Sequence, residues 1–460
     1  MKRWTLNVTL ATILLAMGLG EAIAAEAKAS GKPNFILILT DDQGWSQLSS
    51  RIDPSCPESQ SDYLETPNMA RLAKSGVRFT SGYSPAPICT PTRRSIQCGM
   101  TCARQRGTEF SSEFDPADHL TIPKTLRRAD PDYRCAHFGK WGSQMVASPT
   151  ECGYDASDGM TSNHTGNMPI RIEERFKVYT SDDPKKAFSI TDRAVSFMRK
   201  QSESGHPFYV QLSHYAVHLA IEAREDTIQA IHEKGEPDRR YTPAFAAMLY
   251  NLDSSIGRLL DVLEETGLRE KTYIFFMSDN GGRGTIPGGD QSRLPTNHPL
   301  SGSKQSLREG GIRVPFIAVG PGVEAGAICH EPVAGYDLLP TFYDLAGGEQ
   351  PLPSQIDGGS LREVLLGGGN GTVERSPIDG LVFHRPKNEV SVLRRGDYKL
   401  MIEWTKDDRI ESLELFDLAK DISESNDLSD QEPERTEQMK RDLLTYLESV
   451  DARFPSEIDE

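Results

Sequence analysis

The sequence has no excess of positive charge. Its 51 Lys and Arg residues are outnumbered by 67 Asp and Glu residues, which gives a formal net charge of −16 at pH 7. A chain of this charge is repelled by nucleic acid and by anionic membrane surfaces, so both are excluded as general partners. An anionic substrate stays compatible with the composition if the cations that bind it are gathered in one pocket.

The sequence also lacks a long apolar run. The stretch Leu10–Leu19 is too short to span a bilayer core of about 30 Å, and no later stretch is long and apolar enough to do so. It follows Lys2 and Arg3 and precedes the small-residue pattern Ala22–Ala24, an arrangement typical of a cleaved secretory signal. We therefore predict that residues 1–25 are a signal peptide, that no membrane anchor remains, and that the mature protein is periplasmic or secreted.

Cysteine is scarce, and its count is odd. In an exported chain, an odd count leaves at least one thiol without a disulfide partner. Six cysteines allow about 15 pairings, so the connectivity of the others stays open. We take Cys89 as the unpaired one because of the motif that surrounds it. The seven cysteines are at positions 56, 89, 98, 102, 135, 152 and 329.

Internal repeats are not evident, and apolar runs alternate with helical patterns. Runs without polar alternation are typical of strands buried on both faces of a parallel sheet. Between them, Ser189–Lys200 and Ala244–Glu265 carry apolar residues at helical spacing. We therefore predict an α/β fold with a large, mostly parallel (mixed) central sheet flanked by helices. The four predicted strands are Asn34–Thr40, Pro207–Leu212, Thr272–Met277 and Val314–Val319.

The C-terminal part of the chain has a different pattern. Short strand-like segments follow one another closely over Leu381–Phe416, and a helical pattern at Glu434–Val450 closes the chain. This predicts a small antiparallel sheet with one helix packed on it. We place a catalytic α/β domain at residues 26–375 and an α+β subdomain at residues 376–460, with Gly367–Gly371 as a flexible join.

Two of the predicted strands run directly into side chains that carry oxygen ligands. Asp41 and Asp42 follow the first strand, and Asp279 and Asn280 follow the third. Because sites in open α/β sheets form at the carboxyl ends of the strands, the two pairs can face one another. Three carboxylates and an amide oxygen make a hard donor set that suits Ca²⁺ or Mg²⁺. Either pair alone is equally compatible with a turn or a helix cap.

The segment Cys89–Arg93, Cys-Thr-Pro-Thr-Arg, is the strongest chemical signal in the chain. Pro91 suits the first turn of a helix, where the backbone N–H groups and the helix dipole favour a bound anion. Arg93 adds a permanently charged donor one turn further on. On these grounds Cys89 is either an activated thiolate nucleophile or a buried structural cysteine.

At this point the sequence resembles a known family. Cys89–Arg93 matches the C-x-P-x-R signature of the type I sulfatases of the alkaline phosphatase superfamily, whose cysteine is oxidised to formylglycine during export. Further similarities keep their order along nearly the whole mature chain. They are the Asp pair after the first strand, Gly139–Trp141, Gly153–Asp155, His218, Ser278–Gly281, the segment Asn297–Pro315 with Lys304, and Leu415–Leu418 with Asp421 and Asn426.

The resemblance implies a metal-dependent hydrolase. Formylglycine, made from Cys89 by a formylglycine-generating enzyme, would attack the sulfur atom as its hydrate and later expel sulfate as the aldehyde forms again. The cation would be Ca²⁺, with Mg²⁺ as the alternative, and it would favour the ionised hydrate because a cation lowers the pKa of a bound hydroxyl. The implied metal ligands are Asp41, Asp42, Cys89, Asp279 and Asn280.

The resemblance also implies which residues hold the sulfate group. Lys140, His218 and Lys304 would hold the sulfate oxygens, and either His218 or Lys304 would protonate the leaving oxygen. Arg93 would complete the catalytic set by favouring the ionised hydrate together with the cation. His214 competes with His218 on spacing alone, and only the family pattern favours His218. The implied substrate is a sulfated carbohydrate or another sulfate ester, by analogy with exported sulfatases that degrade glycans.

The sequence departs from the family pattern at two positions. Gly142 stands where the family commonly has a histidine that helps the hydrate to collapse, and His137 and His164 are the available replacements. Cys98 stands where the extended signature usually has Thr. We expect Cys98 and Cys102, four positions apart on the predicted helix, to share one face of it and to pack there.

Two other functions fit the same motifs. A phosphodiester or phosphonate ester hydrolase of the same superfamily would have a similar pocket, because both kinds of substrate are tetrahedral oxyanions. If Cys89 stays a thiol, the protein would instead be an inactive binder of sulfated glycans that a metal stabilises. Leaving-group and charge preference separates the first alternative from a sulfatase, and the chemical state of Cys89 separates the second.

Overall fold

The computed structural model describes residues 31–458, so the predicted signal peptide lies outside the described residues. The strands in this range are β1 (Asn34–Thr40), β2 (Val77–Phe79), β3 (Gly82–Tyr83), β4 (Arg134–Gly139), β5 (Ala156–Ser157), β6 (Val178–Thr180), β7 (Phe208–Ser213), β8 (Ile221–Ala223), β9 (Thr272–Ser278), β10 (Phe316–Val319), β11 (Ile328–Cys329), β12 (Val333–Ala334), β13 (Leu381–Arg385), β14 (Val390–Arg395), β15 (Tyr398–Trp404) and β16 (Ile410–Asp417). The α-helices are α1 (Pro67–Ser75), α2 (Cys89–Cys98), α3 (Ile122–Ala129), α4 (Ala187–Glu203), α5 (Glu225–His232), α6 (Pro243–Glu265), α7 (Glu309–Ile312), α8 (Leu338–Leu345), α9 (Arg362–Leu366) and α10 (Pro433–Ser449).

An eight-stranded sheet forms the centre of the structure, in the order β11-β2-β10-β9-β1-β7-β4-β5. The strands from β9 to β5 are parallel, whereas β10 runs antiparallel to β9. The predicted α/β fold with a mostly parallel mixed sheet is therefore confirmed. β1 and β9 are buried at every position, which explains their uninterrupted apolar sequence.

The two faces of the sheet are covered by different helices. Along β1, Ile36 and Ile38 point into the hydrophobic cluster that contains α1, α4 and α6. Phe35, Leu37 and Leu39 point into the opposite cluster, which contains α2, α3 and α8. This alternation follows from the period of two in a strand. Among residues 31–458, no helix combines the length and the apolar character needed to cross a membrane.

The C-terminal strands form a separate antiparallel sheet in the order β13-β14-β15-β16. Leu400 on this sheet and Leu443 on α10 share one hydrophobic cluster, as the sequence pattern predicts. Another cluster joins Phe383 of the sheet to Tyr83 and Tyr336 of the preceding chain. Because apolar packing continues across the junction, the domain boundary at residues 375 and 376 stays a prediction.

The cysteines differ from expectation in one respect. All seven lie in the described part of the chain and are free thiols there. Cys98 is the last residue of α2, because Gly99 adopts a left-handed conformation with φ 64° and its N–H donates to the Ser95 carbonyl oxygen at 2.9 Å. Cys102 therefore lies beyond the helix, and the prediction that Cys98 and Cys102 share a helix face is wrong.

Candidate active site

The site lies at the carboxyl ends of four adjacent parallel strands, β9, β1, β7 and β4. The strands β1 and β9 are in register, with Thr40 opposite Ser278, so the residues that follow them emerge side by side. This edge is where open α/β sheets bind ligands. It brings together the residues Asp41, Asp42, Lys140, His218, Asp279 and Asn280.

The two pairs of oxygen-bearing residues predicted at the strand ends, Asp41–Asp42 and Asp279–Asn280, face one another. The backbone N–H of Asp42 donates to Asp279 Oδ1 at 3.3 Å, and Asn280 Nδ2 donates to Asp42 Oδ1 at 2.9 Å. All four side chains, including Asp41, are buried. Asp42 adopts a left-handed conformation with φ 61°, which Asp tolerates better than most non-glycine residues.

Three buried oxygen atoms of this group have no hydrogen-bond partner among the described residues. They are Asp41 Oδ1, Asp42 Oδ2 and Asn280 Oδ1. A buried acceptor without a partner is costly and rare, and three of them together form a hard donor set for a divalent cation. A ring nitrogen of His218 lies within 4.8 Å of oxygen atoms of Asp41 and Asp42. The residues present therefore fit a metal ion.

Three cations bond directly to the acids, two of them buried and the third, Lys304, 9% exposed. Lys140 Nζ donates to Asp41 Oδ2 at 2.6 Å, and Lys304 Nζ donates to Asp42 Oδ1. Arg93 binds Asp279 Oδ2 through Nε at 3.0 Å and Nη2 at 2.7 Å. Lys304 comes from the long loop between β9 and β10, where its N–H donates to the Gly282 carbonyl oxygen at 3.0 Å. The acidic chain thus gathers positive charge in one pocket, as its composition requires of an anion site.

The pKa values of Asp42 and Asp279 are shifted in opposite directions. Burial alone would raise the pKa of Asp42, but the neighbouring Lys304, His218 and Arg283 hold it well below its usual range. Burial, and then the charge of Asp41, raise the pKa of Asp279 to about 6. Carboxylates crowded into one pocket repel each other in their charged forms. A bound divalent cation would relieve that repulsion.

Cys89 is the first residue of α2, and it is buried. No side chain caps this helix start, so the N–H groups of its first turn point outward without helical partners. Pro91 lies in this turn and has no N–H. Cys89 is within electrostatic range of Arg93, Lys140 and Lys304. A helix start with unpaired N–H groups and three cations forms an anion pocket around the Cys89 side chain.

The structure places His218, and not His214, beside the acids. His218 Nδ1 donates to the Leu219 carbonyl oxygen at 2.7 Å, and Nε2 lies 3.8 Å from Asp42 Oδ2. Asn163 Nδ2 donates to the same Nε2 at 3.3 Å. His214 is fully buried, and burial lowers its pKa to about 3. Neither ring nitrogen of His214 has a hydrogen-bond partner among the described residues.

A larger side chain at Gly142 would require a strained backbone and a shift of Met145. The φ angle of Gly142 is 154°, and a Cβ atom added there would lie 2.8 Å from Met145 Cγ. The two replacement histidines have other partners. His137 Nε2 is 3.0 Å from Ser213 Oγ, and its ring packs edge-on against another aromatic side chain. His164 is exposed, and its Nδ1 donates to the Met168 carbonyl oxygen at 2.9 Å.

The site includes Lys185, a cation that the sequence analysis missed. It is only 1% exposed and adopts a left-handed conformation with φ 53°. Its ammonium group donates one long bond of 3.5 Å to the Gly166 carbonyl oxygen and interacts electrostatically with Glu222 and, more weakly, with Asp41 and Asp42. Burial lowers the pKa of Lys185 to about 8. No sequence signal distinguishes it, because a lysine in a polar loop ordinarily indicates a solvated charge.

The fold and the site together define an α/β protein with a mostly parallel sheet and a pocket for a divalent cation and an anion. The family profile described as Sulfatase matches residues 33–348, more than half of the chain. The chain therefore belongs to the sulfatase family, which consists of sulfuric ester hydrolases, and the predicted family and enzyme class are confirmed.

Named relatives agree with this assignment. The chain is 29% identical to N-acetylgalactosamine-6-sulfatase of Mus musculus over 426 residues, which cover 85% of this chain and 75% of the mouse protein. It is 27% identical to arylsulfatase A of Homo sapiens over 428 residues, covering 84% and 77%. The crystal structure of Ps i-CgsB in complex with k-i-k-neocarrahexaose is similar, with a TM-score of 0.73, 25% identity and coverage of 94% of this chain and 95% of that one.

Proposed function

We propose that the protein is an exported sulfatase that hydrolyses sulfate esters of a sulfated carbohydrate, using a formylglycine made from Cys89 and a bound Ca²⁺ ion. The main support is the set of three buried, unpartnered oxygen atoms of Asp41, Asp42 and Asn280 beside three cations and a helix start. The names of the similar proteins, which refer to a sulfated amino sugar and to a neocarrahexaose, support a carbohydrate substrate. The pattern of residues 1–25 supports export to the periplasm or beyond the cell.

The metal would be held by oxygen atoms of residues at two strand ends together with the modified Cys89. When bound, the cation and the hydrated aldehyde supply an ionised oxygen nucleophile at neutral pH. Oxygen-only donors suit Ca²⁺, and Mg²⁺ would demand a stricter octahedral arrangement. The proposed ligands from the strand ends are Asp41, Asp42, Asp279 and Asn280.

The cationic side chains would bind and orient the sulfate group. Arg93 donates both to Asp279 and to the Lys140 carbonyl oxygen, so it ties two walls of the pocket together. Lys140 and Lys304 present ammonium groups beside the acids, where they would stabilise charge on the sulfate oxygens. Lys304 Nζ carries protons beside the place of the leaving oxygen. His218 Nε2, in contrast, accepts from Asn163, and burial lowers the pKa of His218 to about 4, so His218 would first have to gain a proton before giving one.

The maturation enzyme would have to act before folding is complete. All residues from Cys89 to Arg93 are buried in α2, and a second enzyme cannot reach a thiol in that position. A formylglycine-generating enzyme would therefore bind this segment as an extended chain during export. This order also explains why a reactive cysteine is shielded in the folded protein.

Mass spectrometry of tryptic peptides tests the proposal directly. Protein from a host with formylglycine-generating activity should show, in peptide Phe79–Arg93, the mass loss expected when a thiol is replaced by an aldehyde. Peptide Ser95–Arg104 carries Cys98 and Cys102 and is the internal control, since it should stay unmodified. An unmodified Cys89 in that host contradicts the mechanism. It would direct attention to the glycan binder or to a phosphoester hydrolase.

A further inference from the structure

A second cavity lies at the end of α2 that is opposite to Cys89. The helix has ten residues, which span about 15 Å at 1.5 Å per residue, so this cavity is distinct from the catalytic pocket. Its volume is about 860 Å³, within the range of small-molecule binding sites. The segment Met100–His119 and the C-terminal segment Arg453–Glu457 form most of its walls.

The walls of this distal cavity carry three arginines. Arg104 is held in place by Asp357, with Nη2 2.7 Å from Oδ1. Arg106 is 41% exposed and pairs with the exposed acids Asp451 and Glu457. Exposed pairs of this kind are weak, about 0–1 kcal/mol, so an anionic ligand can take their place. Arginine also suits the planar, bidentate recognition of oxyanions.

Two glutamates also line the distal cavity, Glu113 and Glu457, so it is not uniformly positive. Glu457 already accepts from Arg106 at 3.2 Å. The carbonyl oxygen of the same residue accepts from Arg453. Arg104 and Arg453 are therefore held in place by bonds within the protein. Arg106 is more exposed, and its ion pairs can be exchanged for contacts with an anionic ligand.

A buried amide in this cavity demands a hydrogen-bond donor. Gln105 is 3% exposed, and its Nε2 donates to the Arg94 carbonyl oxygen at 3.2 Å. Its Oε1 has no partner among the described residues, although a buried amide oxygen normally accepts a hydrogen bond. Inorganic sulfate offers only acceptors, so a ligand that carries a hydroxyl or N–H donor as well as negative charge fits these walls better.

A flat aromatic surface completes the distal cavity. The rings of Phe114 and His119 stack with centroids 4.6 Å apart and an angle of 12° between their planes. Both residues line the cavity. Such a face suits the apolar C–H side of a sugar ring, because aromatic side chains offer broad contact area at a small cost in conformational entropy.

The same loop connects the distal cavity to the catalytic pocket. Glu109, which follows the arginines, accepts from Arg385 Nε at 2.8 Å, and Arg385 Nη1 donates to the Gln305 carbonyl oxygen at 2.6 Å. Gln305 is the neighbour of Lys304 in the chain. The loop that lines the distal cavity is thus bonded, through Arg385, to the segment that carries Lys304.

We propose that the distal cavity binds a sulfated segment of a carbohydrate chain, away from the ester that is hydrolysed. Sulfate groups would pair with Arg106 and Arg453, a hydroxyl would donate to Gln105, and a sugar ring would lie on Phe114. The choice of a sulfated ligand rests on the proposed function, whereas the fit to a ligand with donors, a ring and negative charge rests on the cavity alone.

Kinetics with two substrates test this inference. In the holoenzyme, Arg106→Gln and Phe114→Ser should lower kcat/KM on a sulfated polysaccharide about tenfold or more, as expected for losing a charge-assisted contact. Hydrolysis of a small aryl sulfate should not change. Arg71→Gln is the matched control, since Arg71 is 33% exposed and also pairs with two acids, Asp261 and Glu264. Equal loss on both substrates, or no loss on the polysaccharide, overturns the proposal.

Direct binding separates this inference from the proposed function. Calorimetric titration of the Cys89→Ala protein with a sulfated disaccharide should give two sites per chain, and one site after Arg106→Gln and Phe114→Ser are combined. Inorganic sulfate or the unsulfated disaccharide binding the distal cavity as tightly would contradict it. If the native protein cleaves no sulfate ester but the second site behaves as described, the proposed function fails and the binding site stands.

Discussion

Two buried clusters in the described chain each contain acidic and basic side chains. They differ in how many of their carboxylate oxygens have a hydrogen-bond partner. The catalytic cluster consists of Asp41, Asp42 and Asp279 with Arg93, Lys140 and Lys304. The interface cluster consists of Glu309, Arg313, Lys399 and Tyr83. In the catalytic cluster, Asp41 and Asp42 each keep an oxygen atom without a partner in the described chain. In the interface cluster, Glu309 Oε2 accepts from Tyr83 and Arg313 at 2.9 and 2.6 Å, and Oε1 accepts from Lys399 at 2.9 Å.

This difference indicates what each cluster does. Lys399 also donates to the Leu307 carbonyl oxygen at 2.8 Å, so the interface cluster fastens the C-terminal sheet under the loop that carries Lys304. Glu424 also belongs to this cluster, with its Oε1 2.7 Å from Lys399 Nζ, so the carboxylate oxygens of the interface cluster lie against cations or donors of the protein itself, as expected for a structural element. The catalytic cluster retains capacity that only a ligand can use. Both clusters are buried and both contain ion pairs, so the unused acceptors are what distinguishes the catalytic cluster from the interface cluster.

The largest expected effect is the loss of turnover at Cys89. We predict that Cys89→Ala lowers sulfate release by at least about 10⁴-fold, in the range seen when a covalent nucleophile is removed. The melting temperature should stay nearly unchanged, because the Cys89 side chain forms no disulfide among the described residues and the smaller alanine side chain fits in the same space. Enzyme assays and thermal melts on the same preparation check both statements. Undiminished sulfate release from this variant would refute the mechanism.

The reverse pattern is expected at the interface cluster. Glu309→Gln should lower the free energy of unfolding by about 3–5 kcal/mol, because it leaves buried cations without a full counter-charge. Urea unfolding measures this. Glu414→Gln is the control, since Glu414 forms a half-buried pair with Arg308 and its loss should stay within about 1 kcal/mol. Similar losses for the two variants would show that the complete bonding of Glu309 contributes no additional stability.

Metal removal sharpens the same comparison. Calcium at about 100 times its Kd should stabilise the native protein by about 2.7 kcal/mol, and chelation should remove both this increment and the activity. Asp42→Asn should lose most of the calcium-dependent shift in melting temperature, while Glu309→Gln should keep it on a less stable background. Activity that resists a chelator would count against the assigned ligands.

The sequence predicts those parts of the site that depend on strand ends. Continuous apolar runs identify β1 and β9, and parallel strands must deliver the residues that follow them to one edge. This reasoning brings Asp41, Asp42 and Asp279 together without any tertiary information. The direction of β10 could not be predicted in the same way, because an antiparallel neighbour buried on both faces has the same apolar pattern.

Two other outcomes have different causes. The end of α2 could have been predicted from the sequence, since glycine commonly ends a helix in the left-handed conformation, as Gly99 does here. This helix end explains why Cys102 lies outside α2. The burial of Lys185 could not have been predicted from the sequence, because it arises from the packing of a loop around Gly166 and not from its own neighbours in the chain. A polar sequence gives no warning that tertiary structure will enclose it.

Lys185 supplies the smallest expected effect and the finest test of the comparison, because it is a buried cation with only a long bond at its ammonium group. Its pKa is about 8 in the folded protein against 10.5 as the ordinary value. Below pH 8 the ammonium is charged in both states, so the penalty for burying it is fully present. Between pH 8 and 10.5 the folded protein releases its proton first, and stability attributable to this group rises with pH.

We therefore predict that Lys185→Met stabilises the protein at pH 7 by about 1–3 kcal/mol, and that this gain shrinks as the pH approaches 10. Urea unfolding at pH 7, 8.5 and 10 with constant calcium measures the trend. Lys186→Met is the matched control, because Lys186 has a similar left-handed backbone with φ 55° but is only partly buried. A gain that does not depend on pH, or one that Lys186→Met reproduces, would mean that the Lys185 charge is already compensated and that unsatisfied charge in this pocket is confined to the acids.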